Sequence, residues 1–140
     1  MIKGFILYNV NNRNLSGKGV LQQGSGEVVE ATAIRKGHTD VVEDVAWHNH
    51  NEQLLGSVGD DKKLIIWDCR MEHNKVSSCV SDAHDGDVNS LAFSRFDPYM
   101  LLTGGGDAAV KLWDLRNLSK PMHVLEGHNN SVMQVWHGSS

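Results

Sequence analysis

No run of apolar residues in this 140-residue chain approaches the roughly 18 needed to cross a bilayer, which excludes a helical membrane span. The opening stretch MIKGFILYNVNNR has too short an apolar core and lacks a small-residue cleavage site, so it does not read as a secretory leader. Only two cysteines are present, Cys69 and Cys79, with neither CxxC spacing nor the density of a disulfide framework. They read as reduced thiols of an intracellular protein. Positive charge is not in excess: 13 Lys and Arg against 17 Asp and Glu leave a formal net charge of −4. That balance argues against direct nucleic-acid binding and leaves room for basic partners. A long apolar stripe of period 3.6 is also missing. Short apolar runs alternate instead with clusters of Gly, Asp and Asn, so strands are expected to dominate and the expected class is all-β.

What the chain does have is an internal repeat. GHTDVVEDVAW begins at Gly37 and AHDGDVNSLAF at Ala83. Each leads into a strand-like run and an Asp-containing turn, SVGDDKKLIIWDCR in the first copy and TGGGDAAVKLWDLR in the second. His38 to His84 spans 46 residues, as does Trp67 to Trp113, and His to Trp is 29 residues in both copies. A third copy opens at GHNNSV, with His128 lying 44 residues after His84. A fixed period of this length marks a repeat architecture in which each unit buries its face against a neighbour. The organisation expected is a preceding remnant and polar loop over 1–36, full repeats over 37–82 and 83–126, and the start of another over 127–140. The expected strands of the first repeat are Val42–His48, Leu54–Val58, Lys63–Trp67 and Val76–Val80. Those of the second are Val88–Ser94, Met100–Thr103, Val110–Trp113 and His123–Leu125. Ahead of them, Phe5–Val10 is expected as a degenerate third strand, with Asn11–Gly26 a loop and Val28–Ile34 closing that unit.

These landmarks resemble WD repeats over roughly Val28 to Trp136. The resemblance implies a partial β-propeller with two full four-stranded blades and fragments of the flanking ones. It also implies a hydrogen-bonded tetrad in each blade: His38, Ser57, Asp61 and Trp67 in one, His84, Thr103, Asp107 and Trp113 in the other. Ser, His and Asp together look like a hydrolase triad, but a triad has no reason to recur at a 46-residue spacing, and no catalytic residues are assigned. Gly104-Gly105-Gly106 lacks the GK[ST] of a phosphate loop and fits a tight turn. His48, His50, His73 and His84 match no zinc spacing, so neither metal nor cofactor is expected.

A narrower resemblance lies in VVEDVAWH, SVGDDKKLIIWDCR and TGGGDAAVKLWDLRNL, which are similar to the middle blades of the histone-binding, retinoblastoma-binding or MSI-type WD-repeat family. Members are non-enzymatic subunits of chromatin assembly, deacetylase, remodelling and Polycomb complexes, so the resemblance implies basic histone-tail partners and a nuclear location, with a cytoplasmic one also open. In a propeller the loops before each inner strand share one end with the turns between the second and third strands. Asp40, Glu43, Asp60, Asp85 and Asp87 lie in or beside those loops, giving an acidic rim suited to a Lys/Arg-rich peptide. The positions matching the family's peptide-binding face are Glu43, Asn89 and Met133, with Asp40 and Asp60 beside them. Asp40, Asp85 and Asp87 also fit plain solvated surface, whereas Glu43 is expected to point toward the axis. The endings WDCR and WDLR carry a second implication. Arg70 and Arg116 occupy the WDxR position that faces the adaptor in WD-repeat receptors of cullin–RING ubiquitin ligases, or else each simply pairs with a surface acid.

Two repeats and fragments leave a propeller incomplete, which reads as a truncated isoform or partial gene product without folded activity; nothing in the sequence supports an oligomer that completes the ring. The purified chain alone is therefore expected to be poorly stable. A thermal melt with light-scattering mass checks this, with a cooperative transition at a defined mass as the contrary outcome.

Overall fold

The computed structural model describes residues 5–9, 14–16, 33–72 and 75–126. Every regular element among them is a strand. β4 (Val42–Trp47), β5 (Leu54–Gly59), β6 (Leu64–Asp68) and β7 (Ser78–Val80) form one antiparallel meander. β8 (Val88–Phe93), β9 (Met100–Gly105), β10 (Val110–Asp114) and β11 (His123–Leu125) form a second of the same order. These are two blades of a partial β-propeller, as the resemblance to WD repeats implies. β1 (Phe5–Asn9), β2 (Asn14–Ser16) and β3 (Ala33–Lys36) make a three-stranded sheet in the order β2-β1-β3.

That first sheet departs from expectation in one respect. Asn14–Ser16, placed in a polar loop by its composition, pairs antiparallel with β1 in the register Leu7↔Ser16. Both edges of β1 carry backbone donors and acceptors that need partners, and composition alone does not register that demand. The strand on the other edge is Ala33–Lys36, pairing Phe5 with Lys36; residues 28–32, where it was expected to begin, lie outside the described residues. The opening of the third repeat, including His128 and Met133, also lies outside them.

Alternation in the sequence becomes packing between the blades. Val58, Leu64 and Ile66 of the first meet Val88, Leu91, Phe93, Leu101 and Trp113 of the second in one core. Val42, Leu55, Ile65 and Trp67 form a separate cluster on the opposite side of the first blade. Both inner strands stop one residue short of expectation because the next side chain leaves the ladder to close a turn. His48 Nδ1 accepts the N–H groups of His50 and Asn51, at 3.0 and 2.9 Å. Ser94 Oγ accepts those of Phe96 and Asp97 at the matching place, at 3.2 and 3.0 Å. The first blade's outer strand is also shorter than expected, starting at Ser78 rather than Val76.

The β5–β6 and β9–β10 turns share one geometry. Lys62 and Ala108, 46 positions apart, are the non-glycine residues with positive φ among the described residues, at 67° and 63°. Side chains there meet the backbone, at a cost of about 1–2 kcal/mol. At the strand end before each turn the opposite constraint applies. A Cβ on Gly105 would lie 2.6 Å from Asp107 Oδ1 and against the His84 ring, and one on Gly59 would lie 2.5 Å from the Val41 carbonyl. Ala108→Gly is expected to raise stability by roughly 0.5–1 kcal/mol, part of the relief being lost to a more flexible unfolded chain. Gly105→Ala is expected to lower stability by about 2 kcal/mol or more. Urea midpoints on the two variants check both signs.

Candidate functional site

Trp67 and Trp113 are almost wholly buried, so each indole N–H must find an acceptor inside the protein. Trp67 Nε1 donates to Ser57 Oγ at 2.8 Å, and Ser57 Oγ lies 2.7 Å from His38 Nε2. His38 Nδ1 is 3.0 Å from both oxygens of Asp61. A carboxylate only accepts, so Nδ1 donates to Asp61, and Nε2 faces the serine hydroxyl. Asp61 also accepts the amides of Thr39 and Lys63, at 2.9 and 3.2 Å. The second blade repeats the relay: Trp113 to Thr103 at 2.8 Å, Thr103 to His84 at 2.7 Å, His84 to Asp107 at 2.9 Å. Both hydroxyl-bearing residues are 0% exposed, and each oxygen is engaged by an indole and an imidazole. The tetrads are struts that tie the loop before each inner strand to the turn beside it.

Titration follows from this wiring. Burial alone would raise the Asp61 carboxyl, but the His38 contact and two backbone amides outweigh it and hold it below its ordinary 3.8. Asp107 is lowered in the same way, by the Asp85 amide and then His84, against burial. Burial lowers His84 from 6.5 despite the neighbouring Asp107.

At the end of the blades where these loops emerge, the carboxylates gather. Glu43 and Asn89 are the residues skipped by the strand pairing: β4 pairs Val42 with Gly59 and then Asp44 with Val58, and β8 pairs Val88 with Gly105 and then Ser90 with Gly104. A bulge takes a residue out of the ladder and re-aims its side chain. The Asp60 carboxyl is pushed up from 3.8 to about 6 by burial, then by the charges of Glu43 and Asp87, a hydrogen bond to Glu43 and the charge of Asp40. Asp40, Glu43, Asp60 and Asp87 are thus one electrostatic cluster drawn from both blades. Asp85 is occupied differently, its amide bonded to Asp107 at 3.0 Å. Met133 lies outside the described residues, so the third matching position has no place in this cluster.

The WDxR arginines sit at the other end of the blades. Arg70 donates from Nε and Nη2 to Asp68, at 3.0 and 2.6 Å, and Arg116 does so to Asp114, at 3.0 and 2.8 Å. Each guanidinium closes its own turn while staying largely exposed.

Three residues that sequence reasoning missed hold the parts together. Arg35 is fully buried and donates to the carbonyls of Met71 and Glu72 at 3.1 and 3.0 Å, with its guanidinium 5.8 Å from the Trp67 ring centre. Asp44 reaches across to the second blade, where its carboxylate accepts the Leu91 amide at 3.0 Å; burial raises its pKa despite that bond. His48, read from sequence as a strand end and a rejected metal ligand, donates from Nε2 to the Pro98 carbonyl at 2.7 Å. The alternating strand pattern carries no signal for these contacts. A charged residue inside an inner-strand run, as in VVEDVAW, is the one hint the sequence offers. Among the described residues no group of three or more His, Cys, Asp or Glu is placed to hold a metal. Neither Cys69 nor Cys79 is in a disulfide.

The shifts fix the sign of acid sensitivity. His84 has a depressed folded pKa, so its contribution is lost as pH falls below the ordinary 6.5 toward the folded value; those of Asp61 and Asp107 are present above 3.8 and lost below it. Asp60 acts oppositely: its strain is full above about 6 and relieved on falling to 3.8. Asp60→Asn is therefore expected to stabilise the protein at pH 7 by on the order of 1 kcal/mol, after allowing for solvent screening, and to make no difference near pH 4. Thr103→Val, which strands a buried indole N–H and an imidazole nitrogen, is expected to cost about 2–4 kcal/mol. Denaturant titrations across pH 4–7 test both.

Residues 30–68 and 73–114, more than half of the chain, match the WD domain, G-beta repeat. The matched segments contain both tetrads, both bulges and all four residues of the acidic cluster. Such repeats serve as protein-interaction scaffolds. The chain belongs to the WD-domain, G-beta repeat family.

Proposed function

We propose that this chain is a non-enzymatic scaffold subunit of a nuclear chromatin complex, holding a Lys/Arg-rich, histone-tail-like peptide on its acidic rim. The observation that carries the reading is the Asp60 carboxyl at about 6, crowded by Glu43, Asp87 and Asp40. Asp60, held up first by burial and then by the charges of Glu43, Asp87 and Asp40, is a place where an incoming cation relieves strain as well as gaining attraction. The bulge at Glu43 supports the same reading, because it takes that residue out of the regular alternation and re-aims its side chain beside Asp60. Similarity of VVEDVAWH and the two WD-containing turns to histone-binding propellers supplies the identity of the peptide.

Fluorescence anisotropy with a labelled Lys/Arg-rich histone-tail peptide tests this. Glu43→Gln and Asp60→Asn are each expected to weaken binding by about fivefold or more, while Arg70→Ala and Arg116→Ala leave it unchanged. A bound cation favours ionised Asp60, so affinity should fall as pH drops through 6. Binding should also weaken with added salt. Equal affinity for a peptide with its lysines acetylated and arginines replaced by glutamine would overturn the proposal.

A further inference from the structure

β4 and β8 run from the acidic rim to the loops 48–53 and 94–99 at the opposite end of the blades. There, on the seam between the repeats, a cavity of about 360 Å³ opens. Its apolar walls are Leu54, Pro98, Tyr99 and Leu115, and its polar lining includes His50 and Arg116. The seam is firmly built: besides the His48 bond to Pro98, Asn49 Nδ2 donates to the Phe93 carbonyl at 2.9 Å. The volume lies at the small end of ligand-sized clefts and accommodates one bulky side chain with part of its neighbour.

The two repeats are not equivalent here. Arg116 lies over the Tyr99 ring at 4.3 Å, whereas position 53, the counterpart of Tyr99 in the first repeat, is glutamine. Arg116 is thus held twice, by the ring and by Asp114, and a guanidinium fixed in advance loses less freedom when it binds. Asp114 takes bonds from Nε and Nη2. The Nη1 edge bonds nothing among the described residues. The other acid nearby, Asp97, is turned to the Tyr99 amide at 2.9 Å.

We propose that this cleft docks a protein segment that inserts one bulky apolar side chain among Leu54, Pro98 and Leu115 and sets a neighbouring carboxylate on the Nη1 edge of Arg116. The partner is acidic where the rim partner is basic. The two sites are therefore independent, and neither rests on the other.

Amide NMR spectra of the whole chain, titrated with the capped dipeptide Ac-Leu-Glu-NH2, read the site directly. Saturable shifts are expected at His50, Tyr99 and Arg116. Arg116→Gln and Tyr99→Gln should each weaken them by about fivefold, with Arg70→Gln neutral. Tyr99→Gln installs the residue that the first repeat already carries at this place, and a matching thermal melt confirms that its fold is kept. Absence of shifts in the cleft at millimolar probe would overturn the proposal. So would equal binding of Ac-Leu-Lys-NH2, or equal loss on Arg70→Gln.

Discussion

Burying an indole brings a large apolar surface out of water together with one N–H that water can no longer satisfy. In both repeats that hydrogen is met by a hydroxyl, the hydroxyl by a histidine, and the histidine by an aspartate at the tip of a turn. The chain of partners ends only where the carboxylate reaches backbone amides near the surface. One requirement in the core of the blade therefore fixes the third strand, the second strand, the loop before the first and the turn between them. The positive-φ residues after Asp61 and Asp107, and the glycines before them, are consequences of bringing that turn close enough to the imidazole.

The seam between repeats follows a less regular logic. Asp44 accepts an amide from β8, but the corresponding place in the second repeat is Ser90, whose buried hydroxyl has no partner among the described residues. His48 closes its turn with an imidazole and still has a nitrogen to spare for Pro98, while Ser94 closes the matching turn with a hydroxyl. Within each blade the relay is copied; between blades each contact is individual. The repeat unit is thus defined by its own wiring, and the joints are where the two copies have diverged.

This division explains what the sequence could and could not reveal. Spacing of His, Ser or Thr, Asp and Trp announced the relay, because a periodic contact leaves a periodic trace. The strand order and the acidic rim followed from placing those landmarks on a blade. Arg35, Asp44 and His48 left no such trace, since each bonds to a backbone group of another sheet or loop and backbone partners have no sequence signature. The short strand Asn14–Ser16 was missed for the same reason: its pairing satisfies the edge of β1 and owes little to its own composition. The strength of the acidic cluster was likewise beyond sequence reasoning, because it depends on Asp87 being brought beside Asp60 from the other blade.

The paired bulges have a consequence for how such a protein can change. Glu43 and Asn89 stand outside the hydrogen-bonded ladder, while their neighbours Val42 and Val88 are fully buried. Position 43 is acidic and position 89 an amide, in blades that otherwise keep the same backbone. The fold tolerates either, so selection can rewrite the chemistry offered to a partner at these places without renegotiating the core. One irregularity in the backbone separates the part of the sequence that must remember the fold from the part that is free to learn a ligand.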